Sequence, residues 1–479
     1  MNRRHRVKNR PRKRHVPDIG EGFRKRLVQI FGRESVSDEM EERICASYDA
    51  TKRSALPDVV VRARNAEQIC ALMKLCNERL VPVYAQGACT GLVGGAVPFA
   101  GGVALDMTRM NRIIEIDRRN LTATVEPGVV TGDLQKEAEK AGLFYPPDPA
   151  SHEFSTMGGN VAQGAGGLQC VKYGVTREYV LALDVVLPTG ELIHTGSLAI
   201  KDVTGYDLTA LMVGSEGTLG IFTRMVLRLL PLPEDLVTSL CYFRDAEAAM
   251  DAVSAIIAAK IVPRAIEFMD DECARSVRGG QDLHIPDHTG AVLLIELDGK
   301  RALIEDEMKR CVEICRSCGA FEAFEAYSAE EREKAWDMRR AISPALYKIS
   351  PGGKINEDVC VPRSELTKLL HGIKEISGKH GVKIACFGHA GDGNVHVNAL
   401  VDLSDEAEAA RGYAAVREVF EKVISLGGTL SGEHGVGVAK QPYLAMQIPE
   451  KEMEIMRSIK KLFDPNNILN PNKMFPSQE

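Results

Sequence analysis

The sequence predicts an α+β chain of two domains. Its 479 residues are too many for one ordinary domain. In the first half, short strand patterns alternate with three glycine-rich stretches, whereas after the Pro-Leu-Pro segment at 231–233 helix patterns alternate with antiparallel-type strand patterns. We therefore predict a basic tail over 1–20, a helical lead-in over 21–54, a first domain over 55–232 and a second domain over 233–479.

The composition is that of a soluble globular protein, with 44% apolar and 26% charged residues. The longest apolar runs, such as 291–295, are too short to span a bilayer, and no signal-peptide core follows the basic start. The net charge of −6 argues against a body that binds nucleic acid. The cysteines are scattered, which is typical of buried thiols in a reducing compartment. These features predict a cytoplasmic protein.

The first 17 residues hold eight Lys or Arg and no acidic residue. Such a run is typical of a disordered extension, and a misassigned start codon would also produce one. The alternative is an arm that touches RNA or a membrane surface. The run lacks the apolar and serine content of a transit peptide.

Capping residues and periodicity predict the elements of the first domain in order. A helix over 37–46 would be capped by Ser37 or Asp38, a second helix begins after Asn65, and Thr131 would cap a third. Alternation or short apolar runs predict strands over 57–63, 81–85, 103–107, 113–116, 122–126, 181–187 and 192–194.

The second domain is predicted to be an antiparallel sheet covered by helices. Helical periodicity covers 246–260, 305–317, 366–378 and 406–425, and strand patterns cover 264–269, 291–297, 320–325 and 356–361. Cys311, Cys315 and Cys318 have a spacing that could suggest iron–sulfur ligands. They fall on one face of the predicted helix, however, and no fourth Cys-Pro follows. We therefore expect any iron–sulfur cluster to be carried by a partner.

Three glycine-rich stretches, 86–96, 156–167 and 214–221, lie at predicted strand ends. Glycine lets several successive backbone N–H groups converge on an anion, so together the stretches suit an extended ligand with phosphates. None is a Walker loop, because no Gly-Lys-Ser/Thr follows, and none has the Rossmann pattern. Any one of them alone could be a tight strand connection.

A second candidate site is the stretch 387–398, where His389 and His396 lie on either side of a glycine-rich turn. Strand patterns flank the turn, so both imidazoles could face one point. Imidazole is the commonest transition-metal ligand among side chains, and Glu433, followed by His434 between glycines, is the best candidate for a third ligand. The alternative is a pair of hydrogen-bonded structural histidines.

The order of motifs resembles the flavoproteins of the vanillyl-alcohol-oxidase type, in the branch of the glycolate oxidase flavin subunit, D-lactate dehydrogenase and D-2-hydroxyglutarate dehydrogenase. The resemblance runs from about Tyr48 to Phe475. The segments that carry it are 86–95, 146–149, 157–167, 201–208, 214–221, 336–339, 354–362, 389–398 and 431–435. It implies a two-subdomain PCMH-type FAD-binding domain followed by an α+β C-terminal FAD-linked oxidase domain with an antiparallel sheet.

The resemblance implies that the first domain binds FAD in an extended pose, with the pyrophosphate on the amides of Gly87–Gly91. The residues it places around the cofactor are Gln86, Gly87, Ala88, Cys89, Thr90, Gly91, Gly94, Gly95, Pro147, Asp148, Ser151, Gly158, Gly159, Asn160, Gly166, Gly167, Glu216, Gly217, Ile221 and Asn470. Relatives that attach FAD covalently carry a His where this chain has Thr90, so we expect non-covalent FAD. Cys89 stands where a small or polar residue is usual, and its role is open.

The resemblance also implies a substrate grip in the second domain. Arg339 can clamp a carboxylate bidentately, and Lys354 can add a second positive charge. Ser343 is expected on the same helix face as Arg339, and Asn398 is expected to hydrogen-bond the substrate.

A divalent ion is implied at His389, His396 and Glu433. It would be zinc by resemblance, although manganese or iron would also suit two imidazoles and one carboxylate. His434 would then take the proton of the substrate hydroxyl.

These expectations combine into FAD-dependent oxidation of a small 2-hydroxy acid, D-lactate or glycolate, to the 2-oxo acid. The alternatives within the fold are a D-2-hydroxyglutarate-type dehydrogenase and an oxidase that uses dioxygen, and a flavin electron-relay subunit is a different class. The electron acceptor is expected to be an electron-transferring flavoprotein, an iron–sulfur subunit or a quinone. Such a partner could hold the protein at the membrane periphery. No nucleic acid is expected, and an oligomer is possible.

Overall fold

The computed structural model describes residues 19–279 and 284–476. Residues 1–18 of the predicted basic tail lie outside the described residues. Helices and strands are mixed through both domains, which confirms the predicted fold class. No helix in the described ranges is both long and apolar enough to cross a membrane.

The first domain contains three small sheets with helices against them, the smallest being the antiparallel pair β7 and β11. Its strands are β1 (Val36–Ser37), β2 (Val59–Arg62), β3 (Val83–Gln86), β4 (Val103–Asp106), β5 (Ile113–Asp117), β6 (Thr122–Val125), β7 (Leu143–Phe144), β8 (Val180–Val186), β9 (Leu192–Gly196), β10 (Ile221–Arg228) and β11 (Leu230–Pro231). Its helices are α1 (Glu21–Phe31), α2 (Met40–Cys45), α3 (Ala66–Arg79), α4 (Thr131–Lys140), α5 (Met157–Gln163), α6 (Cys170–Tyr173) and α7 (Leu208–Met212).

The two larger sheets of the first domain differ in strand direction. One has the order β1-β2-β4-β3, with β2 and β3 both parallel to β4, and the other has the antiparallel order β5-β6-β10-β8-β9. Helix α3 packs on the first sheet because its apolar positions recur at helical spacing, and the side chain of Asn65 caps it by accepting the N–H of Gln68. The end of the chain also returns to this sheet, where the N–H of Asn470 donates to the carbonyl of Val83.

The second domain is built on one seven-stranded antiparallel sheet. Its strands are β12 (Asp235–Phe243), β13 (Ala265–Asp270), β14 (Ala291–Gly299), β15 (Glu322–Ala326), β16 (Lys354–Cys360), β17 (Lys383–His389) and β18 (Asn394–Leu400). Its helices are α8 (Ala246–Ala258), α9 (Asp271–Val277), α10 (Arg301–Ser317), α11 (Ala329–Arg340), α12 (Ile342–Ile349), α13 (Leu366–His380), α14 (Glu406–Ser425) and α15 (Glu450–Phe463). The strand order is β15-β12-β14-β13-β17-β18-β16.

The two faces of this sheet have different partners. Helices α8, α10, α13 and α14 bury one face, and Cys311 and Cys315 lie in that apolar core. Helices α9, α11 and α12 cover part of the other face. The rest of that face meets the first domain. There, the ammonium of Lys172 in the first domain forms an ion pair with the carboxylate of Asp298 on β14. The candidate site lies on this second face, on β16, β17 and β18.

Two predicted helix caps are wrong. Helix α2 begins at Met40, with Glu39 as its N-cap, because Val36 and Ser37 pair with β2 as a strand and keep the chain extended. Helix α4 has Val130 as its N-cap. The hydroxyl of Thr131 instead donates to the buried carbonyl of Ser155 at 3.0 Å.

The second glycine-rich stretch is also different from the prediction, because much of it forms helix α5 rather than a loop at a strand end. Gly158 allows this helix to lie against the chain at Pro127, since a Cβ atom at Gly158 would be 2.6 Å from the Cβ of Pro127. Glycine is therefore needed at position 158 because helix α5 packs closely against Pro127.

Candidate active site

One cavity lies where the three glycine-rich segments meet. The loop after β3, helix α5 and the turn before β10 form its walls. Of the residues predicted to bind the cofactor, those that line it are Gln86, Gly87, Ala88, Cys89, Thr90, Gly91, Gly95, Ser151, Gly158, Gly159, Asn160, Gly166, Glu216, Gly217, Ile221 and Asn470. The structure therefore brings most of the predicted cofactor residues to one place.

Four predicted cofactor residues, Gly94, Pro147, Asp148 and Gly167, do not line this cavity. A Cβ atom at Gly167 would lie 2.2 Å from the carbonyl oxygen of Asp148, so this glycine serves close packing behind the wall. The carboxylate of Asp148 accepts a hydrogen bond from Gln169 at 3.1 Å. A role for these four in cofactor binding stays a prediction.

Polar side chains of the cavity wall suit a bound ligand. The amide of Gln86 donates to the carbonyls of Ala46 and Ala96, both at 2.9 Å, and so anchors the start of the glycine loop. Two lining side chains, Gln163 and Asn470, keep a buried acceptor oxygen without a hydrogen-bond partner in the described chain. Unpaired acceptors at a glycine-lined wall suit a ligand that brings its own N–H and O–H donors.

The cavity extends to the second domain, where Glu433 and His434 form part of its wall. Gly166 allows this approach, because a Cβ atom there would lie 2.7 Å from Oε2 of Glu433. The carboxylate of Glu216 accepts the N–H groups of Val436 and Gly437, both at 2.7 Å. The first domain therefore holds the loop that carries His434.

Three imidazoles surround one oxygen of Glu433. Oε1 of Glu433 lies 3.5 Å from Nε2 of His389, 3.5 Å from Nε2 of His396 and 3.9 Å from Nε2 of His434. The rings of His396 and His434 stack, with centroids 5.3 Å apart. Ligand atoms about 2 Å from a tetrahedral zinc ion lie about 3.3 Å from each other. The donor set and its spacing therefore fit a divalent metal ion.

The hairpin β17–β18 produces this convergence. His389 ends β17 and His396 is the third residue of β18, and the turn between them contains Gly391 and Gly393. A Cβ atom at Gly391 would lie 2.7 Å from the side chain of Val171 in the first domain, so glycine lets the turn approach that domain. The predicted turn between the two histidines is confirmed.

The charges of His396 and Glu433 suit metal binding. Burial lowers the pKa of His396 to about 3, which keeps this imidazole neutral. Burial alone would raise the pKa of Glu433, but His389 and His396 outweigh it and lower the pKa to about 2. A neutral imidazole and an ionised carboxylate are the forms that bind metal ions. Burial alone would lower the pKa of His389, but Glu267 and Glu433 outweigh burial and raise it well above its usual value, so this imidazole must lose a proton before it binds a metal ion.

Asp358, on β16, is a site residue that the sequence reasoning missed. Its fully buried carboxylate accepts the N–H groups of Glu433 and His434, both at 2.9 Å, and the amide of Asn394 at 2.6 Å. It also belongs with His396, Glu433 and His434 to a group whose potential ligand atoms lie within 4.8 Å of one another, and this group contains two of the three predicted ligands but not His389. Asp358 therefore fixes the backbone on which Glu433 and His434 stand.

Glu267, on β13, is the second missed residue. Its Oε2 accepts Nε of Arg339 at 2.8 Å and Nη2 of Arg339 at 2.7 Å, and its Oε1 accepts Nδ1 of His389 at 2.6 Å. Arg339 also lies over the ring of Phe387, with 4.5 Å between the guanidinium carbon and the ring centre. Arg339, which was predicted to clamp the substrate carboxylate, is thus already paired with a carboxylate of the chain, that of Glu267.

The expectation that Arg339 and Ser343 share a helix face is wrong. Helix α11 ends at Arg340 and α12 begins at Ile342, so the two residues lie on different helices. The hydroxyl of Ser343 instead accepts a hydrogen bond from Nζ of Lys354 at 3.1 Å.

Lys354 and Asn398 lie on the sheet face that carries His396, because alternate residues of paired strands point the same way. Within the described part of the chain Lys354 contacts Ser343 and the ring of Tyr347 but no carboxylate, and burial lowers its pKa to about 8. The amide of Asn398 donates to the carbonyls of Ala385 and His396, and its oxygen is buried without a partner. Their substrate roles stay predictions.

Comparisons with known proteins agree with this architecture. Residues 57–196 match the family of the FAD binding domain, and residues 232–474 match the family described as FAD linked oxidases, C-terminal domain. The chain belongs to the FAD-linked oxidase family. It is therefore a flavoprotein oxidoreductase whose first domain binds FAD, as predicted.

The similar proteins cover nearly the whole chain. The chain is 44% identical over 458 residues to the glycolate oxidase subunit GlcD of Bacillus subtilis, with 95% of this chain and 97% of the relative covered. It is 38% identical over 448 residues to the D-lactate dehydrogenase of Anaerostipes hadrus, with 92% and 94% covered. The structure of p-cresol methylhydroxylase with substrate bound matches with a TM-score of 0.77 and 21% identity, covering 93% of this chain and 95% of that one. This likeness confirms the PCMH-type fold.

Proposed function

We propose that the protein oxidises a small 2-hydroxy acid, D-lactate or glycolate, to the corresponding 2-oxo acid with non-covalently bound FAD. The observation that carries this proposal is the shared wall: the cavity of the FAD-binding domain is also lined by Glu433 and His434 of the second domain. A substrate beside the imidazole cluster would thus lie next to the cofactor. The names of the two relatives, a glycolate oxidase subunit and a D-lactate dehydrogenase, support the substrate class.

Each part of the reaction has a side chain suited to it. Lys354 provides a buried ammonium without a carboxylate partner among the described residues, and it would bind the substrate carboxylate. His434, at the cavity wall, would accept the proton of the substrate hydroxyl. FAD, when bound, supplies the acceptor for the C2 hydrogen and its electron pair.

His389, His396 and Glu433 would hold a divalent ion, with zinc as the first candidate. Such an ion lowers the pKa of a hydroxyl group that it binds and offsets the negative charge of the alkoxide. The support is the convergence of two imidazole nitrogens on one carboxylate oxygen at 3.5 Å.

We also propose that the reduced flavin passes its electrons to a partner. The Bacillus relative is named as a subunit, which supports an acceptor outside the chain. Among the described residues, Cys311 and Cys315 are buried in the apolar core rather than arranged around a cavity. An electron-transferring flavoprotein, an iron–sulfur subunit or a quinone would serve as acceptor.

A substrate panel tests the proposal. The FAD-loaded protein is mixed without oxygen with D-lactate, L-lactate, glycolate or D-2-hydroxyglutarate, and the flavin absorbance is followed. We expect D-lactate or glycolate to bleach the flavin fastest. If D-2-hydroxyglutarate bleaches the flavin fastest, that dicarboxylate is the substrate and the proposal for D-lactate or glycolate is wrong. If the flavin colour returns rapidly in air, the protein is an oxidase that uses dioxygen.

A further inference from the structure

One buried carboxylate contacts both a residue of the proposed metal site and a residue predicted to bind the substrate. Glu267 is fully buried on β13 and is paired across the sheet with His389 on β17. It accepts Nδ1 of His389 at 2.6 Å with one oxygen and two nitrogens of Arg339, at 2.7 and 2.8 Å, with the other. The same side chain thus contacts His389, a proposed metal ligand, and Arg339, which is predicted to bind the substrate carboxylate.

The contacts fix the orientation of both partners. In the neutral form of His389, donation from Nδ1 to Glu267 leaves the lone pair on Nε2, and Nε2 is the atom 3.5 Å from Oε1 of Glu433. Arg339 is held through Nε and Nη2 in one plane, and its other N–H groups are left for a second anion.

The partners of Glu267 offset the cost of burying its carboxylate. A fully buried glutamate is rare unless it is paired, and here both oxygens have charged or polar partners.

We propose that Glu267 is a positioning residue that orients His389 toward the metal ion and Arg339 toward the substrate carboxylate. This inference rests on the proposed function, because it needs both the metal ion and the carboxylate substrate. The competing explanation is structural: Glu267 would only hold helix α11, which carries Arg339, against the sheet.

The chain offers a matched control for that explanation. Glu296, on the neighbouring strand β14, is also buried and also holds helix α11, because it accepts Nε1 of Trp336 at 2.7 Å. It accepts the hydroxyl of Thr238 at 2.9 Å as well. Glu296→Gln therefore weakens the attachment of the helix without removing a partner of His389.

The test measures metal affinity in FAD-loaded protein that has been freed of metal and is titrated with Zn²⁺. We expect Glu267→Gln to raise the Kd for Zn²⁺ at least tenfold, the range found for lost partners of metal-bound histidines, and to raise KM for D-lactate. Glu296→Gln should keep the Zn²⁺ affinity of the wild type. Arg339→Gln should raise KM alone, since Glu267 still holds His389.

The outcomes separate this inference from the proposed function. Wild-type Zn²⁺ affinity in Glu267→Gln, or an equal loss in Glu296→Gln, overturns the positioning role while the metal site stands. A wild-type protein that does not bind Zn²⁺ overturns the metal site and this inference with it. If Glu267→Gln does not fold, Glu267→Asp takes its place, because the shorter carboxylate cannot reach both partners and should also lose Zn²⁺ affinity. Unchanged affinity in Glu267→Asp would then overturn the positioning role.

Discussion

The carboxylate of Glu216 accepts the N–H of Val436 at 2.7 Å, and this contact joins the two domains at the cofactor cavity. Glu216 has a positive φ of 52°, a strained conformation for a residue with a side chain. The second oxygen of the same carboxylate accepts the N–H of Gly437. The loop that carries Glu433 and His434 is thus held from the first domain.

We predict that Glu216→Gln destabilises the protein. The amide keeps one acceptor oxygen but places an NH₂ group against the second backbone N–H, so one buried donor loses its partner at a cost of about 1–3 kcal/mol. The measurement is thermal unfolding of the FAD-loaded protein. The exposed Glu115→Gln serves as control and should change stability by less than about 0.5 kcal/mol. Equal unfolding midpoints for the two variants would contradict the contact.

His396→Ala should remove the metal ion and retain FAD. The imidazole is one of the donors around Glu433, whereas the cofactor cavity is lined largely by residues of the first domain. Metal content by mass spectrometry and flavin content by absorbance give the two readings. His371→Ala, an exposed histidine on α13, should leave both unchanged. Equal metal content in His396→Ala and wild type would exclude the ligand role.

Lys354 should give the reaction an upper pH limit. Burial lowers its pKa to about 8, so its ammonium loses the proton as pH rises through that value and no longer attracts the substrate carboxylate. We therefore expect kcat/KM to fall above about pH 8, because this ratio reports groups of the free enzyme. Arginine stays protonated at that pH, so Lys354→Arg should lose this limb. If kcat/KM of Lys354→Arg still falls above about pH 8, a group other than Lys354 causes the fall.

Arg339→Lys should raise KM about tenfold with metal content unchanged. An ammonium cannot reproduce the planar contact with Glu267 through Nε and Nη2, so one charge-assisted hydrogen bond is lost, worth about 1.5–3 kcal/mol. The neighbouring Arg340 is the control, because it pairs on the surface with Glu333 and Asp337. An unchanged KM in Arg339→Lys would argue against a role in substrate binding.

Local patterns were enough to predict the histidine turn and the glycine-rich walls. The strand alternation on both sides of Gly391 and Gly393 leads directly to a hairpin, and a hairpin brings His389 and His396 to one end of the sheet. The break between α11 and α12 was missed although Pro344 marks it: a proline has no N–H to donate to the carbonyl four residues earlier, and that residue is Arg340, where α11 ends.

Glu267 and Asp358 were missed for a different reason. Their partners lie 122 residues away for Glu267 with His389, and 75 residues away for Asp358 with Glu433, so only the sheet pairing brings them together. A signal was present for Glu267, an acidic residue between Ile266 and Phe268, because such a residue is rarely buried without a partner. Asp358 stands in a strand that also contains Lys354, Asn356 and Glu357, so the pattern did not single it out.

The most direct test of the account is flavin reduction with and without metal. FAD-loaded protein is mixed anaerobically with D-lactate and, separately, with glycolate, first as the Zn²⁺-loaded form and then after chelation. We predict that one of the two acids bleaches the flavin of the loaded protein, that chelation slows bleaching at least a hundredfold, and that added Zn²⁺ restores it. A flavin that neither acid reduces in the Zn²⁺-loaded protein would contradict the central claim.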